Sequence, residues 1–290
     1  MPWPTWSCPE WWGGHDDSGT TPMTAAQTGQ DAADPPVRFI ADGAIGRLIL
    51  NRPDKRNAVS PDMAVGLEAA LDRLEGSQEL RVGVISGAGD AAFCAGADLS
   101  YVASGEGERL STARGGFAGL VRYPRRKPLI AAVHGYALAG GFEIALACDL
   151  IVADSTAQFG LPEVSRGLIA NGGGLLRLAS ALPRAQALDI VLTGRRLDAA
   201  EAARLGLVTR VVGEGQAVDE ALRMAAIIAS YPRAAVQESL YLVNAARHDP
   251  PAELWALCAE IARRVRESGD AVEGARAFLD HREASWQGQQ

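Results

Sequence analysis

The chain has no excess of basic residues and no run of apolar residues that is long enough to cross a membrane. Its 290 residues carry a formal net charge of −7, which argues against nucleic acid or an anionic membrane surface as a principal partner. A membrane-spanning helix needs roughly 20 consecutive apolar residues, and no uninterrupted stretch approaches that length. We therefore expect a soluble protein with neither a nucleic acid nor a membrane as its partner.

Closely spaced cysteines are also absent. The four cysteines lie far apart in the sequence, at Cys8, Cys94, Cys148 and Cys258. Without a CxxC pair they indicate neither a zinc site nor a disulfide framework, so we expect no bound metal and a reducing compartment, the cytoplasm. What is present is a composition of 48% hydrophobic and 22% charged residues, which is typical of a globular protein with a sizeable core.

Residues 1–36 differ in composition from the rest of the chain. They contain four of the six tryptophans, mixed with proline, glycine and small polar residues and without periodicity: Trp3, Trp6, Trp11 and Trp12. The segment has no basic start followed by an apolar core, so it is not a secretory signal, and we predict a disordered tail. A tryptophan-mediated partner motif is the alternative. An ordinary polar leader follows Met23, which makes that residue a second candidate for the natural start.

A regular pattern begins at Val37. The sequences VRFIADG and IGRLILN predict two strands joined by a turn at Asp42-Gly43. Ser60, followed by Pro61 and by apolar residues at helical spacing, predicts the start of a helix. The run RVGVIS, residues 81–86, predicts a buried strand, and the loop after it is rich in glycine and alanine, so that a ligand can lie against bare backbone.

The stretch from Pro128 to Asp154 predicts a strand, a glycine turn, a helix and a second strand. The turn is Gly140-Gly141, and Glu143 lies in the first turn of the helix. A helix that begins at a glycine pair directs unpaired N–H groups outward, which suits an anionic oxygen. The alternative is a plain strand-to-helix connection in which Glu143 only complements the helix dipole.

Strand patterns end at residues 208–212, and the remaining sequence predicts helices. Spaced apolar residues place these helices at 218–230, 232–246, 251–267 and 270–284. The predicted organisation is a disordered tail at 1–36, an α/β core at 37–213 and a helical region at 214–290.

Five motifs in fixed order carry a resemblance to a known family. They are NRPDKRNAVS, AFCAGADL, AAVHGYALAGGFEIALACD, FGLPEVSRG and LTGRRLDAAEAARLGLVTRVV. From about Val37 to the C-terminus the chain resembles the enoyl-CoA hydratase/isomerase (crotonase) superfamily, and within it an enoyl-CoA hydratase. The resemblance implies an α/β spiral of strand-strand-helix repeats with a C-terminal helical trimerisation region, assembled as a homotrimer or a dimer of trimers.

The resemblance also implies the chemistry and its residues. The substrate is an acyl-CoA thioester, so coenzyme A arrives with the substrate and no further cofactor is expected. The backbone N–H groups of Ala97 and Gly140 match the family's oxyanion hole. Glu143 and Glu163 match its two glutamates, with Glu163 as the acid at the α-carbon and Glu143 as the base for water. The alternative for Glu163 is an ordinary first-turn residue after Pro162.

Binding residues for coenzyme A follow from the same motif match. Lys55, Arg56 and Ala58 match the part of the family that lies along pantetheine and phosphate. The groove for adenine and pantetheine is bordered by Ala95, Asp98, Leu99 and Ser100, and the neighbouring subunit offers Phe278 and His281. Lysine is common in the family where His281 stands. By charge alone, Lys55 and Arg56 are equally well explained as a solvated basic turn, and Asp98 as a helix cap.

The expected reaction is reversible hydration of 2-trans-enoyl-CoA to 3-hydroxyacyl-CoA in fatty acid metabolism. An enoyl-CoA isomerase, a specialised acyl-CoA dehydratase and a non-catalytic acyl-CoA binding subunit are the alternatives. Asn171 stands where the family's hydratases commonly have glycine, beside the water pocket, which leaves the acyl range and the direction of reaction open.

Overall fold

The computed structural model describes residues 34–166 and 168–246, together with Asp280, Arg282 and Ser285. Its strands are β1 (Val37–Asp42), β2 (Ile45–Leu50), β3 (Val82–Gly87), β4 (Ser111–Thr112), β5 (Gly116–Phe117), β6 (Leu129–Val133), β7 (Tyr136–Leu138), β8 (Leu150–Asp154), β9 (Gln158–Gly160), β10 (Leu197–Asp198) and β11 (Arg210–Val212). Its helices are α1 (Pro61–Gly76), α2 (Leu99–Ala103), α3 (Gly140–Ala147), α4 (Gly174–Ala181), α5 (Arg184–Thr193), α6 (Ala199–Arg204), α7 (Ala217–Ala229) and α8 (Arg233–Ala245).

Within these residues, six strands form the larger sheet in the order β1-β2-β3-β6-β8-β11. The hairpin β1-β2 is antiparallel, and every other neighbouring pair in this sheet is parallel. A smaller sheet has the order β10-β9-β7, and β4 pairs with β5. Long connections between parallel strands leave room for helices on the faces of the large sheet.

The chain repeats one pattern as it winds between the two sheets. Strand β6 of the large sheet is followed by β7 of the small sheet and by α3, and β8 is followed by β9 and then by α4. After β3, single bridges join Ala92 to Gly135 and Cys94 to Ala137 before α2 begins. The predicted strand-strand-helix repeat is therefore visible in the structure.

Both faces of the large sheet are covered. On one face Ile85, Ala131 and Ile151 lie side by side and pack with α1 and α3. On the other face Val84, Ile130 and Val152 pack against Ala221 and its neighbours on α7. Because these strands are buried on both faces, their sequences are short continuous hydrophobic runs and do not alternate between apolar and polar residues.

The predicted local signals are confirmed where the structure describes them. Ser60 caps α1 by accepting a hydrogen bond from the Met63 amide at 3.2 Å. Helices predicted at 218–230 and 232–246 are α7 and α8, and each boundary differs from the prediction by one residue. The three-residue strand β7 was not predicted.

Several predictions fall outside the described residues. These are most of the tail at 1–36, the helix at 251–267, and the side chains of Phe278 and His281. The same holds for nearly all of the helix predicted at 270–284, of which Asp280 and Arg282 lie in a turn and a bend. In the described part of the chain, no helix is both long and apolar enough to cross a membrane.

Candidate active site

The N-terminus of α3 is held at a strained turn. Ala139, which precedes the helix, has φ 51° and ψ −128°, a conformation that costs an L-amino acid energy and that surrounding structure must impose. The turn is fixed by the Ala139 amide, which donates to the Gly160 carbonyl of β9 at 2.9 Å. Strain of this kind clusters at functional sites.

The glycine and alanine loop after β3 lies directly against this turn. A Cβ built on Gly96 would lie 3.0 Å from the Gly140 nitrogen, and one on Gly140 would lie 2.4 Å from the Phe117 ring. Both positions therefore need glycine for the backbones to approach so closely. Phe117, on β5, was not predicted as part of the site, because no local pattern indicates a contact across such a sequence separation.

The amides of Ala97 and Gly140 have no hydrogen-bond acceptor among the described residues. The bridge between Val59 and Ala97 uses the Gly96 carbonyl and the Asp98 amide, which leaves the Ala97 N–H outside the ladder. The Gly140 N–H belongs to the first residue of α3 and has no intrahelical acceptor. In the described part of the chain neither amide donates a hydrogen bond, so the predicted oxyanion pair is brought together with its donors available.

Glu143 lies in the first turn of α3, and only 3% of the residue is exposed. Its Oε1 accepts a hydrogen bond from the Gly174 amide at 2.8 Å. Burial raises the pKa of Glu143, while the amides of Gly174 and Gly172 and the charge of Arg177 lower it. Because Gly174 is the first residue of α4, the carboxylate complements the dipole of α4 from outside that helix.

Glu163 lies in the 3₁₀ turn Pro162–Arg166 that follows β9, and 9% of the residue is exposed. Its Oε2 is buried and has no hydrogen-bond partner among the described residues. The pKa of Glu163 is raised to about 7, chiefly by burial and also by the negative charge of Glu143. A hydrogen bond from its own amide and the charge of Arg166 oppose this rise. Glu163 is therefore in a turn after proline, as the alternative reading holds, but its carboxyl group is also buried and electrostatically coupled to Glu143.

The segment 171–174 contributes backbone next to Glu143, and its glycines were not predicted as part of the site. A Cβ on Gly172 would lie 2.6 Å from Oε2 of Glu143, and one on Gly174 would lie 2.9 Å from its Cγ. The glycines therefore allow the chain to wrap the carboxylate. Asn171, which precedes them, is exposed.

Of the residues predicted to bind coenzyme A, those in the basic turn lie next to those in the glycine and alanine loop. The Ala95 amide donates to the Arg56 carbonyl at 3.0 Å, which joins the basic turn to the glycine and alanine loop. Lys55 and Arg56 are exposed and form no side-chain hydrogen bond or ion pair within the described ranges. Leu99 is 51% exposed, and Ser100 is exposed beside it.

Arg52 joins the basic turn to the glycine and alanine loop and was not predicted. Its guanidinium bonds the Ala58 carbonyl at 2.5 Å and pairs with Asp98 at 3.0 Å. Hydrogen bonds from Ser100 and the ion pair with Arg52 lower the pKa of Asp98. Asp98 also caps α2 by accepting from the Ser100 amide, so its predicted capping role is confirmed.

Chemically, this arrangement offers two free N–H donors beside a pair of buried carboxyl groups. The donors are fixed before any reaction and suit an oxygen that gains negative charge. The carboxyl groups have different surroundings, which is the condition for one to act as an acid and the other as a base.

Comparison with known proteins gives one consistent result. A model of the enoyl-CoA hydratase/isomerase family matches residues 41–289. Carnitinyl-CoA dehydratase from Proteus mirabilis is 38% identical over 251 residues, which covers 85% of this chain and 96% of that protein. The crystal structure of an enoyl-CoA hydratase from Mycobacterium tuberculosis H37Rv matches with a TM-score of 0.83 and 42% identity, over 88% of this chain and 100% of that one. A carnitinyl-CoA hydratase from Mycobacterium avium matches with a TM-score of 0.70 and 39% identity, over 89% and 100% of the two chains.

Proposed function

This chain belongs to the enoyl-CoA hydratase/isomerase family, and from that premise we propose that it catalyses the reversible hydration of 2-trans-enoyl-CoA to 3-hydroxyacyl-CoA. The observation that carries the proposal is the pair of buried, electrostatically coupled carboxyl groups of Glu143 and Glu163. A pair is what water addition requires, since one group must take a proton from water while the other gives a proton to carbon.

The thioester carbonyl accepts hydrogen bonds from the Ala97 and Gly140 amides. When oxygen adds to the β-carbon, the electron pair of the double bond moves through the α-carbon toward the carbonyl oxygen, which becomes negative. Amide donors fixed in advance contribute on the order of 3 kcal/mol each to stabilising such an oxyanion. Because they are backbone atoms, substitution of the Ala97 side chain leaves the donor in place.

Proton transfers complete the addition. Ionised Glu143 takes a proton from water as the new carbon–oxygen bond forms at the β-carbon. Protonated Glu163, with a pKa raised to about 7, then gives its proton to the α-carbon. Solvent restores the starting states of both groups. Dehydration is the same sequence in reverse, and no cofactor beyond the substrate's own coenzyme A takes part.

Coenzyme A is proposed to lie along the groove bordered by the basic turn and the loop at 95–100. Lys55 and Arg56 are exposed cations suited to its phosphates, and Ala58 and Ala95 leave space for pantetheine. We further propose a homotrimer or a dimer of trimers, in which Phe278 and His281 of a neighbouring subunit reach the adenine. Both residues lie outside the described part of the chain.

Dehydration of carnitinyl-CoA is a second candidate function. It is favoured by the 38% identity to carnitinyl-CoA dehydratase over 96% of that protein. The elementary step is the same, because water leaves from the α- and β-carbons of a thioester. The two functions therefore differ in the acyl group, and Asn171, where the family's hydratases commonly have glycine, is the residue we propose to influence that choice.

A substrate panel tests the proposal. Hydration of short, long and steroid-type enoyl-CoA esters is followed by loss of the conjugated-thioester absorbance. Dehydration of carnitinyl-CoA is followed by the appearance of that absorbance. A 3-enoyl-CoA is run with the same preparation. Hydration of at least one 2-enoyl ester, faster than isomerisation of the 3-enoyl ester, is expected. Fast isomerisation without hydration contradicts the proposal, and inactivity on every ester despite measurable binding favours a non-catalytic acyl-CoA binding protein.

A further inference from the structure

Arg177 lies on α4 behind the glycine loop that wraps Glu143, and no step proposed above uses it. We propose that Arg177 is a positioning residue that fixes the loop at 171–174 and thereby holds Glu143 in place as the base for water. This inference rests on the proposed hydration and deepens it, because it states what orients the base.

The guanidinium joins two separate segments of backbone. Nη1 donates to the Gly172 carbonyl at 3.2 Å, and Nη2 donates to the Val121 carbonyl at 2.6 Å. Val121 follows β5, whose Phe117 ring lies against Gly140. The arginine therefore ties the loop that contacts Glu143 to the segment that packs on the N-terminus of α3.

Packing on the loop shows why it follows the guanidinium closely. Gly173 has φ +97°, and a Cβ there would lie 2.2 Å from Nη1 of Arg177. A Cβ on Gly172 would lie 2.6 Å from Oε2 of Glu143. The glycine backbone therefore lies between the guanidinium of Arg177 and the carboxylate of Glu143. A movement of Arg177 would shift the loop and, with it, the Glu143 carboxylate.

Charge acts in the same direction as geometry. Among the described residues, the charged groups that interact with Glu143 are Arg177 from α4 and Glu163 from the 3₁₀ turn, and Arg166 in turn lowers the pKa of Glu163. Burial raises the pKa of Glu143, and Arg177 opposes that rise. Loss of the guanidinium should therefore raise the pKa of Glu143 further and protonate the base at a pH where the wild type is ionised.

The test compares Arg177→Gln and Arg177→Lys with the wild type, using a 2-enoyl-CoA ester that the wild type hydrates. Arg81→Gln is the matched control, because Arg81 also holds two backbone carbonyls, those of Ala229 and Tyr231, but far along the chain from the glutamates. The pH dependence of kcat/KM, the separate values of kcat and KM, and Tm are measured for all four proteins.

We expect the acid limb of the kcat/KM profile to move up by about one pH unit in Arg177→Gln, which is the size of shift that one nearby charge produces. Turnover should fall by about tenfold to 100-fold through misplacement of the base, with KM changed less than threefold. Arg177→Lys should restore the acid limb, since the charge remains, but only part of kcat. Arg81→Gln should lower Tm and leave the profile unchanged.

Infrared titration of the carboxyl groups separates this inference from the proposed function. The band of Glu143 is assigned by its absence in Glu143→Gln, and its midpoint is read without any turnover. An upward shift of that midpoint in Arg177→Gln supports the inference even if no ester is hydrated, in which case the proposed function alone is wrong. An unchanged midpoint together with an unchanged acid limb overturns it. If Arg177→Gln does not fold, Arg177→Lys tests the inference instead. Lysine cannot hold the carbonyls of Gly172 and Val121 with two separate nitrogens, so a wild-type kcat in Arg177→Lys would contradict the positioning role.

Discussion

Glu143 and Glu163 are both buried, yet they differ in what surrounds them. Burial raises the pKa of Glu143, but the amide at the start of α4 and the charge of Arg177 lower it and so favour the ionised form. Glu163 has a buried Oε2 without a partner among the described residues, and its pKa is raised to about 7. On these unequal surroundings we base the proposal that Glu143 acts as the base and Glu163 as the acid.

The first prediction concerns the acid. Glu163→Gln keeps nearly the same shape but cannot give a proton, so turnover should fall by about two to four decades, the range for general acid–base catalysis. Binding of the substrate should change little. Steady-state kinetics and the affinity for a non-reactive CoA ester measure the two effects. Glu214→Gln, at an exposed loop position, is the control; wild-type turnover in Glu163→Gln would refute the assignment.

The second prediction concerns stability at the same residue. The folded-state pKa of Glu163 is about 7, above its ordinary value of 4.5, so the folded state binds this proton more tightly than the unfolded state. The stabilising effect of that proton is fully present below about pH 4.5 and is lost as the pH rises through 7. Glu163→Gln should therefore be more stable than the wild type near pH 8 by about 1 to 2 kcal/mol, after solvent screening, and equal to it near pH 4. Urea unfolding at the two pH values measures this difference. If the stability difference between Glu163→Gln and the wild type were the same at both pH values, ionisation of Glu163 would not be its cause.

Single residues were predictable from sequence only where a motif carries them. Glu143, Glu163, Ala97 and Gly140 stand in continuous motifs, and the structure gathers them at one place. Arg177, Phe117 and Arg52 act through contacts between segments that are far apart in sequence, and nothing local distinguishes them from ordinary surface or core residues.

At the scale of elements, the N-terminus of α3 is the feature on which the site depends. Its glycine pair was readable because only glycine admits such close approach of two backbones. The cap of α1 at Ser60 was readable for a similar local reason. Strand β7 was not, because three residues give no period that distinguishes a strand from a turn.

The third prediction tests that close approach. Gly140→Ala would place a Cβ 2.4 Å from Cε1 of Phe117, so the ring or the helix must move. We expect destabilisation of about 1 to 3 kcal/mol, the usual range for overpacking, together with a loss of turnover. Gly76→Ala, in α1 with open space around it, is the control and should be neutral or slightly stabilising.

Rescue shows whether the Phe117 ring is the cause. Phe117→Ala removes the ring that the new Cβ would meet. Gly140→Ala should therefore cost less stability when it is introduced into Phe117→Ala than when it is introduced into the wild type. Thermal unfolding of the four proteins measures this coupling. If the stability losses of the two single variants simply add in the double variant, the new Cβ does not clash with the Phe117 ring.

At the scale of the whole molecule, the spiral could be predicted only through the family resemblance. Its repeats share geometry but no visible sequence repeat, because each strand only needs to be short and apolar and each turn only needs small residues. The α/β class and the C-terminal change to helices were predictable from patterns alone. Which strands pair, and in what order, depends on contacts that no local pattern specifies.

The fourth prediction concerns the N-terminal segment. The sequence of residues 1–22 has no periodic pattern of apolar residues and no family motif, so their removal should leave Tm, oligomeric state and turnover unchanged. Thermal unfolding and light scattering of the shortened protein measure this. A fall in Tm or a change of assembly would show that the segment docks on the folded chain.

The central claim is that this protein adds water across a carbon–carbon double bond, and isotopic labelling tests it most directly. The protein is incubated with a 2-enoyl-CoA ester in water labelled with heavy oxygen, and the thioester product is examined by mass spectrometry. The account predicts a 3-hydroxyacyl-CoA that carries one labelled oxygen at the β-carbon, formed by Glu163→Gln about two to four decades more slowly than by the wild type. A 3-enoyl-CoA converted to the 2-enoyl isomer with no oxygen gained, and no labelled product from any 2-enoyl ester, would contradict it.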